Sequence, residues 1–337
     1  MTGRLEVIFP LISIVLVLIS LLMGSSPKVS YGIAMGVQPN QSISNSILQK
    51  TKQASQHIFK TPYDKFGIEK VYPTKPGGQE WFMNMSDPID NRTVVCGETP
   101  QTTFAGKNID GSWKVANKEV RFGVLTSSKY RPDLITTLNQ TELAEKGYMQ
   151  TPNDWKNVEI TGYFKINKFT KSSDNGGPHI ELLARGGRNT DSINHGCEAT
   201  TYHSNTYLDG RVKFEKDLMH TDGYTKKDPE KRYAITSPLS GRVIGIKAIF
   251  YNLPAGDVRM EQWIDNNGLD NKTGLPSNNW TKVFEFTDDG DWAGGHTKCG
   301  GSNNTVITWG GPIAVFRWDQ IPDMDVKYFS IREIDKV

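Results

Sequence analysis

Side-chain character alternates residue by residue over five long stretches of this 337-residue chain, and few folds accept that pattern. The stretches are "VEITGYFKIN" (158–167), "GRVIGIKAIFYN" (241–252), "VRMEQWID" (258–265), "KVFEFTD" (282–288) and "VKYFSIREI" (326–334). Successive side chains of an extended strand point to opposite faces, so a period of two marks strands. Between the second and third stretches, "LPAGD" (253–257) is a Pro/Gly turn of hairpin length. The one convincing helical spacing is "PDLITTLNQTELAEKGY" (132–148), where Leu134, Leu138 and Leu143 share a face and Gly147 supplies a stop. With 32 Gly, 8 Trp, 12 Tyr and 14 Phe, the pattern predicts an all-β fold, a two-sheet antiparallel sandwich or jelly roll with a minor helix.

The amino terminus is of a different kind. "VIFPLISIVLVLISLLM" (7–23) is almost wholly apolar and follows Arg4, which predicts an N-terminal hydrophobic helix that directs export. Its length lies between a cleaved signal peptide and a retained membrane anchor. Gly32-Ile33-Ala34 offers a cleavage site, and both fates stay open. Residues 1–34 are assigned to the signal peptide or anchor, 35–60 to a polar tether, and 61–337 to a single jelly-roll domain. Asn-x-Ser/Thr sites at Asn40, Asn84, Asn91, Asn139, Asn271, Asn279 and Asn303 have meaning on an exported chain. Of Cys96, Cys197 and Cys299, the last two sit in Gly- and His-rich loops and are the expected disulfide pair. A net charge of +2, with both signs interspersed, argues against nucleic acid as a partner.

Alternation also sorts titratable groups by face. In "RVKFEKDLMH" (211–220), Val212, Phe214, Lys216, Leu218 and His220 share one side; Lys213, Glu215 and Asp217 are on the other. Lys216 on a mostly apolar side needs a sheet edge or an acid. In "PHIELLARGG" (178–187), His179, Glu181, Leu183 and Arg185 lie opposite Ile180, Leu182 and Ala184. Were the two segments neighbours, Glu181, Arg185, Tyr202, His203, Lys216 and His220 would converge on a concave surface. Cross-strand ion pairs on a solvated face are the alternative. The glycines of "RGGRN" (185–189) let backbone approach a ligand and place Arg188 beside it.

The segments "DWKNVEITGYFKI" (154–166), "IELLARGG" (180–187), "GIKAIFYNLPAGDVRMEQWIDNNG" (245–268) and "ITWGGPIAVFRWD" (307–319) resemble concanavalin A-like jelly rolls. That fold is shared by lectins, laminin-G-type modules, glucanases and alginate-type polysaccharide lyases. The likeness spans about Phe66 to Ile334 and is nearest to secreted, uncharacterised archaeal and bacterial proteins. It implies an extracellular glycan as partner. Departures are plain. The lyase pattern Arg-x-Glu-x-Arg survives only as Glu181 and Arg185, with Leu183 where an Arg belongs. The Gln-Ile/Val-His strand is missing, and Tyr202 and Tyr207 echo the Tyr-x-Lys-x-Gly-x-Tyr strand distantly. The glucanase carboxylate set is reduced to Glu261 and Asp265.

Uronate β-elimination needs a group that neutralises the carboxylate, a base for the C5 proton and an acid for the leaving oxygen. Arg185 suits the first role; His195, His203 or His220 suits the second, and Tyr202 or Tyr207 the third, with Lys216 in the same groove. Glu181, Arg188, Tyr207, Lys213 and Trp292 are candidate substrate contacts, Trp292 as an exposed loop ring. Trp309 and Trp318 read instead as core. No cofactor is expected to be required. Asp265, Asn267 and Asp270 in "DNNGLDN" (265–271) are weak candidate ligands for a structural Ca²⁺. Three functions stay open: a polysaccharide lyase, a non-catalytic glycan-binding module, and a cell-envelope adhesion protein.

Overall fold

The computed structural model describes residues 62–96, 103–126, 154–171, 176–187, 189, 200–219, 225, 227–292 and 302–336. All of them fall in the unit Lys60–Val337. The apolar run 7–23, the helical stretch 132–148, Arg188, His195, His220, Cys197 and Cys299 lie outside the described residues. Among the described residues, no helix is long and apolar enough to cross a membrane.

The described residues form fifteen strands. They are β1 (Glu80–Phe82), β2 (Thr93–Cys96), β3 (Phe104–Lys107), β4 (Trp113–Val115), β5 (Val120–Leu125), β6 (Val158–Lys168), β7 (His179–Gly186) and β8 (Thr201–Tyr207). The remainder are β9 (Val212–Asp217), β10 (Glu230–Lys231), β11 (Val243–Asn252), β12 (Val258–Asp265), β13 (Trp280–Asp288), β14 (Ile313–Asp319) and β15 (Asp323–Glu333). All five alternating stretches are strands, with ends displaced by a few residues at most. The expected hairpin joins β11 to β12, closed by Leu253 N donating to Asp257 O at 2.9 Å. Gly256 holds a φ of 92° in that turn, a conformation a side chain resists.

Two antiparallel sheets result. One has eight strands in the order β13-β12-β11-β6-β15-β4-β3, with β1 also paired to β15; the other has seven, β10-β9-β8-β7-β14-β5-β2. This is the expected all-β sandwich, consistent with a jelly roll. Inward-facing rings interlock between the sheets. Phe316 of β14 stacks on Phe329 of β15 at 4.1 Å and 5°, and Phe214 of β9 on Phe284 of β13 at 5.1 Å. Each fully buried ring contributes about 1.5–3 kcal/mol. Trp318 is completely buried in this core and Trp309 packs against it, as expected of both.

Part of each sheet's outer face is buried too. On the eight-stranded sheet, segment 63–74 lies across β6, β11 and β15. Val71 N donates to Glu159 Oε2 at 3.1 Å, and Arg332 Nη2 to the Tyr72 carbonyl at 2.9 Å. On the seven-stranded sheet the outer face carries a cluster of ionisable groups.

Candidate functional site

Because Ile180, Leu182 and Ala184 of β7 point into the core, His179, Glu181 and Leu183 point outward. The same alternation turns His203, Asn205 and Tyr207 of β8, Lys213, Glu215 and Asp217 of β9, and Arg317 and Asp319 of β14 outward. Strand register then sets the neighbours. Glu181 stands between Asn205 and Arg317, and His179 between Tyr207 and Asp319.

Glu181 is the hub. Its Oε1 accepts from His179 Nε2 and its Oε2 from His203 Nδ1, both at 2.7 Å. His179 Nδ1 faces the Gly177 carbonyl at 2.6 Å. Both of its ring nitrogens therefore face acceptors, which requires the doubly protonated imidazolium. Burial by itself would push both histidines down, but hydrogen bonds and charge from Glu181 outweigh it and raise both. Glu181 moves the other way: against burial, Arg317 and the two histidines hold it well below the usual carboxylate range. Asp319 is raised by burial, which outweighs the Arg317 charge. Arg317 reaches Asp319 Oδ2 with Nη2 at 2.8 Å, Glu181 Oε1 with Nε at 3.5 Å and Asn189 Oδ1 with Nη1 at 3.1 Å. Lys213 pairs with Glu215.

Glu181 is 2% exposed and His203 0%, so this cluster is sealed rather than laid open as a groove. Among the described residues, it meets a hollow at the Tyr207 end. This hollow of about 410 Å³ adjoins Tyr207 and is lined by Phe169, Lys171, Gly176, Gly177, Pro178, Leu208 and Asp209. The Tyr207 ring lies between the His179 ring at 4.7 Å and the Arg211 guanidinium at 4.1 Å.

Of the described candidate catalytic and binding residues, Glu181, His203, Tyr207 and Lys213 share this face. Arg185, Tyr202 and Lys216 point into the sandwich, which corrects the expected convergence. Tyr202 and Lys216 follow their strands' alternation. Arg185 departs from it: the register slips opposite Ile313 and Val315, and Arg185 takes a left-handed φ of 75°. Lys216 finds the acid its place demanded, with Nζ 2.9 Å from Asp288 Oδ2. The Tyr202 hydroxyl donates to the same oxygen at 2.6 Å. Trp292 is also interior, 6% exposed and edge-on to Phe286 at 5.2 Å. Its surrounding Gly and Asp residues suggested exposure, but Phe286 and Tyr202 offered it apolar cover. Sequence reasoning set His179 on the Glu181 side of its strand without giving it a role, and did not single out Asn189, Arg317 or Asp319. The signal for the last two was an alternating Arg-x-Asp in an otherwise apolar strand.

The candidate calcium ligands are used by the chain itself. Asp265 Oδ1 accepts from Asn267 N, Gly268 N and the Ser277 hydroxyl, and its Oδ2 from the Tyr163 hydroxyl. Asp270 Oδ1 accepts from Lys272 N, Thr273 N and the Thr273 hydroxyl. His179, Glu181 and Asp319 do bring three ligand atoms within 4.8 Å of one another. Arg317 already supplies the positive charge at that point, so the set is an ion-pair network.

Fold and site together define a β-sandwich with a sealed His-Glu-His-Arg-Asp network on the outer face of its seven-stranded sheet. No family model and no curated protein matches the chain. Among solved structures, it is similar to a winged bean acidic lectin complexed with methyl-α-D-galactose, at 8% identity over 77% of this chain and 100% of the lectin, TM-score 0.39. An endo-β-1,4-glucuronan lyase from Trichoderma reesei matches at 8% identity over 79% of this chain and 93% of the lyase, TM-score 0.32. An alginate lyase, Aly36B, matches at 13% over 72% and 88%, TM-score 0.31. Likeness this loose carries no function. The narrower resemblance to secreted archaeal and bacterial proteins has no support among the comparisons.

Proposed function

We propose that the protein is an extracellular carbohydrate-binding module that holds acidic polysaccharide at the Tyr207 end of the seven-stranded sheet. The observation that carries this reading is the hollow beside Tyr207, backed by the His179 imidazolium. A recess with an aromatic ring and the Lys171 cation in its lining, and the Arg211 guanidinium over that ring, suits a uronate-containing chain. Export is supported by the apolar run 7–23 and by the exposure of Asn84, Asn91, Asn271, Asn279 and Asn303.

A lyase reading is the second, favoured by one observation: Arg317 stands beside His203 and Glu181 with the charge needed to neutralise a carboxylate. It is the weaker one because β-elimination needs a base. His179 and His203 have raised pKa values, and burial pushes Tyr207 up to about 12. Both directions favour the protonated form, the opposite of what a base needs.

The test is affinity electrophoresis with alginate, glucuronan and heparin-type polymers, run beside ultraviolet absorbance at the unsaturated-uronate band. Retardation without an absorbance rise is expected, and Tyr207→Ala should abolish it. No retardation by any polymer rejects the binding reading, and a sustained absorbance rise replaces it with the lyase.

A further inference from the structure

Arg185 lies on the opposite side of its sheet from the proposed glycan site, and its surroundings are unusual for a cation. It is 0% exposed. One of its donors, Nη1, reaches the Ile307 carbonyl at 2.7 Å. Nε and Nη2 are buried with no acceptor among the described residues. Its guanidinium carbon also lies 5.9 Å from the centre of the Tyr202 ring.

The nearby charges do not help. Lys216 and Asp288 neutralise each other across 2.9 Å. Tyr202 donates to Asp288 and accepts from Ile307 N at 2.9 Å, so its hydroxyl is fully used and stays neutral. Burial lowers the Arg185 pKa only to about 10, so it remains charged at neutral pH. A buried ion without a counter-charge is among the most unfavourable arrangements a protein can hold. The backbone adds to the cost. A left-handed φ of 75° at a non-glycine residue is strained, and here that strain aims the side chain inward instead of out.

We infer that Arg185 holds a small planar oxyanion, of the carboxylate or bicarbonate class, inside the sandwich beneath segment 302–309. The two donors without protein acceptors form one edge of the guanidinium. Two parallel N–H bonds from that edge match the two oxygens of a planar carboxylate-type anion. Water would satisfy the hydrogen bonds but leave the charge, whereas an anion answers both. The indole N–H of Trp292, which lies parallel to Tyr202 at 6.3 Å, is likewise buried without an acceptor. This end of the interior therefore has an excess of donors around one positive charge.

The experiment uses the full chain. Exhaustively dialysed protein is unfolded and the released anions are measured by ion chromatography. In parallel, Tm is followed against formate and against bicarbonate, with ionic strength held constant by fluoride. About one equivalent of anion released, or a Tm rise of about 3 °C per tenfold increase in formate or bicarbonate, supports the site. Arg185→Met should abolish the rise. Arg185→Lys, which keeps the charge but loses the paired donors, should weaken it at least tenfold and serves if the first variant does not fold. Absence of both released anion and Tm response overturns the inference. So does an undiminished response in either variant.

Discussion

Two buried glutamates, one on the outer face of each sheet, are each flanked by two bases, yet they are built for different ends. Glu159 of the eight-stranded sheet is held by Lys247 at 2.8 Å and Arg332 at 2.7 Å, with Val71 N adding a third donor. Burial pulls Lys247 down against the opposing charge of Glu159, and segment 63–74 covers the group. Glu181 of the seven-stranded sheet is held by two histidines, whose charge depends on pH more than that of a lysine or arginine, with the Arg317 guanidinium 3.5 Å away. Its neighbours are also less completely satisfied: both oxygens of Asp319 lack a well-aligned hydrogen bond despite burial. A lysine and an arginine closed over one carboxylate by a covering segment make a clamp. Titratable partners make a centre whose charge follows its surroundings, as a site for a charged ligand requires.

The strongest way to break this contrast is to remove each hub. Glu159→Gln leaves Lys247 and Arg332 buried without a counter-charge and should cost about 3–5 kcal/mol in denaturant unfolding. Glu181→Gln should cost only about 1–2 kcal/mol, because His179 and His203 can become neutral. Equal losses would show that the two centres do the same structural job.

Acid titration sharpens the same point. Burial pushes Glu159 up, but Lys247 and Arg332 outweigh it and bring it to about 2. A lowered carboxylate stabilises above its unfolded value and loses that contribution as pH falls through its folded value. About 3 kcal/mol should therefore vanish between about pH 4.5 and 2. Glu159→Gln should flatten that fall in Tm.

On the alkaline side the sign reverses. The raised histidines contribute fully below their unfolded value and lose that contribution as pH rises through their folded values. Tm should decline in that range, and His203→Gln should diminish the decline. A profile unchanged by the substitution would mean that His203 is neutral throughout.

The smallest effect is expected at the exposed pair of Lys282 and Glu285, on the same sheet as Glu159. Lys282→Ala should shift stability by no more than about 0.5 kcal/mol, and high salt should erase the shift. A larger loss would undermine the assumption that burial makes the difference.

Much of this architecture is legible in the residues. Val258–Asp265 matches its alternating stretch to the residue, because the pattern follows local pleating. The demand that Lys216 find an acid also follows from one charge placed among apolar neighbours. Arg185 was misread because alternation assumes an unbroken register, and a slip opposite Ile313 and Val315 cannot be seen from either strand alone. Arg317 and Asp319 joined the site through pairing between β14 and β7, which are separated by well over a hundred residues of chain.

What the amino-acid order decided by itself is the strand inventory, the β11–β12 hairpin and the two-faced character of each strand. These depend on neighbours in sequence and on a backbone that alternates its side chains. Which strand lies beside which, and therefore which acid meets which base, was decided only by the closing of the two sheets. Ionic partners act over a few ångströms in space, and the order of residues along a chain does not record those distances.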